Sequence, residues 1–195
     1  MMNSKNGNGN GNKANQKSLR TFAVYVENKP GVLNRVASLF RRRAFNIESL
    51  TVGHTDEKGV SRMTIVIEAN DTIAWRVEAN LYKMVNVLKV EDLTHLPTVF
   101  RDLALIKVKA NKENRAEVLQ ICDVFRAHVV DVHSEALIVE ITGSEDKIEG
   151  LMDVLRPFGI IEMVRTGRVA MARGAETPSV NPEFVRASVP VNGLN

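Results

Sequence analysis

Three observations predict an α+β protein made of two βαββαβ units. Short β-rich runs alternate apolar and polar residues, and other runs carry apolar residues at helical spacing. The order strand, helix, strand, strand, helix, strand then occurs twice within 195 residues.

The first strand spans 21–27, with Phe22, Val24 and Val26 on one face. The helix at 32–43 follows, with Leu33, Val36, Ala37 and Phe40 at i, i+3, i+4 and i+7. Residues 46–52 and 61–68 are strands, joined by a polar GHTDEKG connection too long for a two-residue hairpin. Asp71 is the predicted cap of a second helix running to about 83, with Ile73, Val77, Leu81 and Met84 inward, and 85–93 returns as a strand.

The second pass uses different residues. A strand spans 103–110. Asn114 with Glu117 forms an Asn version of the capping box, opening a helix whose apolar face is Val118, Ile121, Cys122 and Phe125. Strands cover 128–133 and 136–142. Ser144 caps a helix with Ile148, Leu151, Met152 and Leu155 inward, and 160–165 is the last strand, which RVAMAR extends. This order is that of the ferredoxin-like fold, an antiparallel sheet with both helices on one face. Phe45, Ile47, Met63, Ile65 and Val66 cannot share a single face, so the first sheet has an apolar second face. That predicts sheet pairing, within the chain or between two copies.

Outside the units the sequence changes character. Residues 1–18 are Asn/Gly-rich, too poor in apolar side chains to order themselves. The predicted organisation is a disordered tail at 1–18, one unit at 19–95, a break near Pro97, a second unit at 99–173, and a flexible tail at 174–195. The first tail carries Lys5, Lys13 and Lys17 and no acid, which accounts for the formal charge of +3. With a near-neutral folded part and only 5% aromatic residues, the composition argues against nucleic-acid binding.

One cysteine, Cys122, excludes an internal disulfide and reads as a small core residue. No apolar run reaches membrane-span length, and the N-terminus lacks a secretory apolar segment. A cytoplasmic home is expected. His54, His95, His128 and His133 read as exposed. His128 and His133, five apart on one strand, fall on opposite faces and share no metal. Asp56, Glu57, Glu145 and Asp146 belong to turns and helix starts. No catalytic fingerprint appears, and the chain is predicted not to be an enzyme.

The segment with most chemical content is ENKPGVLNRVASLF. Pro30 suits a first helical position, with Lys29 as cap. The amides of Gly31 and Val32 then lie bare at the positive end of a helix, a seat for a carboxylate. Asn28 offers an amide to the same ligand, and the bare backbone of Gly31 permits close approach. At FNIE, Asn46 can accept an ammonium beside apolar neighbours. Together these describe an α-amino-acid site. The alternative is structural: Asn28 and Gly31 make a tight turn, and Asn46 ends a helix as a left-handed cap. The matching turn of the second unit, ANKENRAE, has no Pro-Gly, so a ligand is expected only in the first. The RRR run at 41–43 either solvates a helix terminus or meets an acidic partner surface.

ENKPGVLNRVASLFRRRAFNIESLTVG, followed by SRMTIVIE, FRDLALIKV, FRAHVVDV and GRVAMARG, resembles the regulatory small subunits of acetolactate synthase, over about residues 19–174. The resemblance implies that the first unit is an ACT domain and that the chain dimerises through such domains. It further implies a large catalytic partner holding thiamine diphosphate, Mg2+ and FAD, which this chain activates and makes sensitive to inhibition by valine. Carried onto matching positions, Asn28, Gly31, Val32 and Leu33 would face the effector from one copy, and Asn46 and Ile47 from the other. A stand-alone amino-acid-sensing ACT protein is the rival reading. Valine, leucine and isoleucine differ by too little for the sequence to rank them.

Overall fold

The computed structural model describes residues 17–174; the remaining parts of the two predicted tails lie outside the described residues. The described chain forms two compact units, divided between Pro97 and Thr98, with residues 172–174 belonging to the first.

In the first unit, β1 (Ser18–Glu27), β2 (Ile47–His54), β3 (Val60–Ala69) and β4 (Val87–Asp92) form an antiparallel sheet in the order β2-β3-β1-β4. Helices α1 (Val32–Arg42) and α2 (Asp71–Tyr82) cover one face. Strand alternation turns Phe22, Val24 and Val26 of β1 and Met63, Ile65 and Ile67 of β3 toward the helices, where they meet Val36, Phe40, Val77 and Leu81. Thr21, Ala23, Thr64 and Val66 point to the other face and are buried as well. The apolar residues of β3 thus divide between two faces, as their spacing requires.

The buried stripe of α1 is Val32, Val36, Leu39 and Phe40 rather than the one starting at Leu33. Both stripes satisfy the helical period, and Val36 and Phe40 belong to both. The choice is made by Leu39 and Val32 reaching the sheet, which leaves Leu33 44% exposed. The helix closes in a Schellman motif. Ala44 takes φ 54, its amide donates to the Arg41 carbonyl, and the Phe45 amide donates to Phe40. The left-handed residue is therefore Ala44, not Asn46. Asn70, not Asp71, caps α2: its Oδ1 accepts from the Ile73 amide at 2.9 Å.

In the second unit β5 (Thr98–Lys109), β6 (His128–His133), β7 (Ala136–Gly143) and β8 (Ile160–Arg165) are ordered β6-β7-β5-β8. Helices α3 (Arg115–Phe125) and α4 (Glu145–Leu155) enclose a core with Ile106, Val139, Ile141, Val118, Ile148 and Leu151. RVAMAR does not extend β8. Residues Val169–Ala172 form a separate strand, β9, which pairs with β5. β5 begins at Thr98, five residues ahead of the strand start expected at 103.

The predicted capping box at α3 is absent, because the Asn114 side chain accepts from the Asn111 amide instead. Ser144 does precede α4, but its hydroxyl makes no cap bond. A bulge at Val130 shifts the β6 register, so His128 lies opposite Glu140 and His133 opposite Ala136. Those partners share a face, and so do the histidines; strict alternation had placed them apart.

Two ion pairs, each with one buried partner, Arg20 in the first and Asp102 in the second, tie strands to their surroundings. Arg20 bonds to Asp71, to His95 at 2.5 Å and to the Ala69 carbonyl. Asp102 receives Arg165 through Nε at 3.0 Å and Nη2 at 2.5 Å, while Arg165 Nη1 donates to Glu149. Burial alone would lower the Arg165 pKa. The Asp102 hydrogen bonds and charge, with Glu145 and Glu149, outweigh it and hold the guanidinium above its ordinary value.

Candidate functional site

β1 ends at Glu27, and the chain turns through Asn28, Lys29, Pro30 and Gly31 into α1. The Val32 amide returns to the Lys29 carbonyl at 3.3 Å, and Gly31 has φ 82 and ψ −7. Proline at the second position and a left-handed glycine at the third make this a type II turn. Gly31, not Lys29, is the cap residue, and Pro30 stands before the helix rather than in its first position. The turn leaves fewer open amides than a bare helix start would. Val32 is satisfied, while Gly31, Leu33 and Asn34 have no amide acceptor among the described residues. A Cβ at Gly31 would meet nothing within 4 Å, so the space above the turn is open.

The turn is held from both sides. The Asn28 amide donates to the Gly59 carbonyl at 2.8 Å, in the β2–β3 connection. Glu27 receives Lys29 Nζ at 3.1 Å and Asn86 Nδ2 at 2.5 Å, and Asn86 Oδ1 accepts from Arg35 at 2.8 Å. These contacts fix the direction in which α1 leaves the sheet and hence where its open amides point. Glu27, Arg35 and Asn86 were missed by sequence reading, since nothing local connects positions 51 or 59 residues apart.

The predicted site residues divide into two groups. Asn28 is exposed at the turn, its Nδ2 lying 3.4 Å from His54 Nδ1. Leu33 projects from the first turn of α1. The Val32 side chain is 3% exposed and belongs to the core, so it faces no ligand. Asn46 is exposed with Nδ2 donating to Glu48 at 2.5 Å, and Ile47 is half-buried against the core. The register separates the groups. Ile47 pairs with Ile67, which pairs with Arg20 at the start of β1, whereas Glu27 pairs with Val60 at its end. Seven steps along the strand separate Arg20 from Glu27, about 24 Å. One copy of the chain therefore cannot bring Asn28 and Asn46 to the same small ligand.

The corresponding turn of the second unit is closed by its own side chains. Asn111 Oδ1 accepts from the amides of Glu113 and Asn114 at 2.9 and 3.1 Å, a local Asn turn that takes up donors left open in the first unit. Cys122 is buried, and burial, with the Asp123 charge, pushes its thiol pKa up, away from the reactive thiolate. Among the described residues no group of three or more His, Cys, Asp or Glu side chains is arranged to hold a metal ion, and no helix is long and apolar enough to cross a membrane.

Two ferredoxin-like units, the first opening its α1 turn to solvent, define a protein of ACT type. Residues 22–89 match the model of the AHAS small subunit-like ACT domain, and residues 101–174 match the model of the small subunit of acetolactate synthase. The chain belongs to the family of acetolactate synthase small subunits. It is 51% identical over 154 residues to a probable acetolactate synthase small subunit of Archaeoglobus fulgidus, covering 79% of this chain and 96% of the relative. It is 50% identical over 154 residues to the acetolactate synthase small subunit of Mycobacterium bovis, covering 79% and 92%. The crystal structure of the acetolactate synthase small subunit from Thermotoga maritima matches with a TM-score of 0.76 at 38% identity, covering 82% of this chain and 99% of that one. The chain is thus a regulatory subunit.

Proposed function

We propose that the chain regulates a large catalytic subunit of acetolactate synthase, raising its activity and making it sensitive to a branched-chain amino acid, with valine as the effector. The thiamine diphosphate, Mg2+ and FAD expected of the holoenzyme are assigned to that partner, and no residue of this chain is given a part in holding them. The effector lies between two copies. Its carboxylate meets the open amides of Gly31 and Leu33 and the Asn28 side chain of one copy, and its ammonium is accepted by Asn46 of the other, beside Ile47. The observation that carries this reading is the distance along β1 between Asn28 and Asn46, which a second copy removes and a single chain cannot.

Such a site couples binding to assembly. A ligand held by two copies favours whichever dimer arrangement closes both halves upon it, and only that difference in affinity reaches the catalytic partner. Micromolar to millimolar binding supplies roughly 4 to 8 kcal/mol, well above the usual coupling of about 1 to 3 kcal/mol.

Calorimetric titration of the chain with valine, leucine and isoleucine tests the proposal. Saturable valine binding is expected, and Gly31→Asp abolishes it by placing a carboxylate in the anion seat and a side chain at φ 82. Activation of the catalytic partner survives in that variant. Unchanged valine binding by Gly31→Asp removes the turn as the site.

A further inference from the structure

Helix α3 begins on an arginine, Arg115. A cation at the first helical position opposes the positive end of the helix dipole, so the helix itself gives no reason for it. The guanidinium reaches out of the helix instead. Its Nη2, with two N–H groups, lies within hydrogen-bond reach of the carbonyls of Ala110 at 2.9 Å, His133 at 2.6 Å and Ser134 at 2.6 Å and shares one proton between two of them, while Nε is buried without a hydrogen-bond partner among the described residues. Three carbonyl oxygens, one just past β5 and two at the β6–β7 turn, converge on one nitrogen. Carbonyls so close would repel one another without a cation between them.

The first unit has a matching junction, but its helix opens on no arginine. Asn28 donates its amide to Gly59 as Ala110 donates to Glu135, at 2.8 and 2.9 Å. His54 ends β2 as His133 ends β6. The turn and the hairpin are linked there by the exposed side-chain contact from Asn28 to His54 at 3.4 Å, and α1 opens on Val32. Two copies of one loop-and-hairpin junction thus differ in what holds them.

We propose that the Ala110, His133 and Ser134 carbonyls form a cation seat filled within the chain by Arg115, and that vacating it creates a binding site for a free guanidinium or alkylammonium ion. The second unit is a self-occupied version of the junction, closed without a ligand. This does not depend on which effector the first unit takes.

Thermal melting of the full chain with methylguanidinium, titrated in the low millimolar range, tests it. R115A is expected to melt about 5 °C or more below the parent, from the loss of charge-assisted hydrogen bonds. Methylguanidinium should recover much of that loss saturably in R115A and leave the parent unmoved. R115K, whose ammonium brings three donors, should keep most of the stability and gain nothing from the additive. If R115A does not fold, R115M, which retains the apolar stem, takes the same titration. A variant that melts with the parent, or an additive that shifts variant and parent equally, overturns the proposal.

Discussion

The ring of Phe45 meets that of Phe40 edge-on, with centroids 6.4 Å apart and planes at 71°, while the Phe45 amide donates to the Phe40 carbonyl at 3.0 Å. Backbone and side chain therefore close α1 at the same two residues, and the chain is delivered to Asn46 in a set direction. The residue that makes this possible is Ala44, which holds φ 54 against the preference of its Cβ. Ala44→Gly should stabilise the chain by up to about 1 kcal/mol, since relief of left-handed strain exceeds the entropy added to the unfolded state. Phe45→Ala should cost about 2 to 3 kcal/mol, in line with loss of a half-buried aromatic ring and its ring contact. Denaturant midpoints of the two variants, moving in opposite directions, are the check.

Because Asn28 and Asn46 stand at opposite ends of the sheet, a two-copy site predicts complementation. Asn28→Ala and Asn46→Ala chains should each fail to bind effector. Unfolded together and refolded as a mixture, half the dimers are mixed, and each mixed dimer holds one intact and one doubly altered site. About a quarter of the parent binding capacity should return. A mixture that binds nothing would place the whole site within one copy.

Asp102 is 6% exposed and carries the charge that Arg165 answers. Asp102→Asn keeps the shape and removes the charge, leaving Arg165 with Glu149 at 3.1 Å and Glu145 at 3.6 Å. The loss should be about 2 to 3 kcal/mol, read as a lowered denaturant midpoint of the second unit. Lys107→Gln, which breaks the exposed pair with Glu162 at 3.4 Å, should change stability by less than about 1 kcal/mol.

Glu78 on α2 has its pKa raised by burial and, secondarily, by the Asp92 charge. A carboxyl with a raised folded-state pKa binds its proton more tightly in the folded chain than in the unfolded one. Its unfavourable contribution is thus absent below the unfolded glutamate pKa and grows as pH rises through the folded value. Glu78→Gln should accordingly be more stable than the parent at neutral pH and lose that advantage on acidification. An equal difference at pH 7 and pH 3 would contradict this.

Much of the architecture was legible in the chain. Alternation in β1, β3, β5 and β7 and helical spacing in α2 and α4 are local signals, because burial of one face imposes its period on the sequence. The Pro-Gly pair was legible as a break between strand and helix, but its geometry was not: local rules put Pro30 first in the helix with Lys29 as cap, where the chain makes a type II turn with Gly31 as cap. Where two local solutions were nearly equal, the local pattern pointed to the wrong one or to neither. α1 could bury either of two overlapping stripes, the α2 cap could fall on Asn70 or Asp71, and a bulge in β6 has no composition of its own.

What the sequence determined by itself is therefore the pair of βαββαβ units, the open Pro-Gly turn in only the first of them, and the family. What tertiary structure decided is which residues can act together. Strand register, which depends on pairing between distant segments, put Asn28 and Asn46 at opposite ends of one sheet and withdrew the Val32 side chain into the core. It also brought Arg115 to carbonyls 18 and 19 residues away. Side-chain period is set along the chain, but the distance between two polar groups is set across the sheet, by hydrogen bonds whose partners no local pattern names.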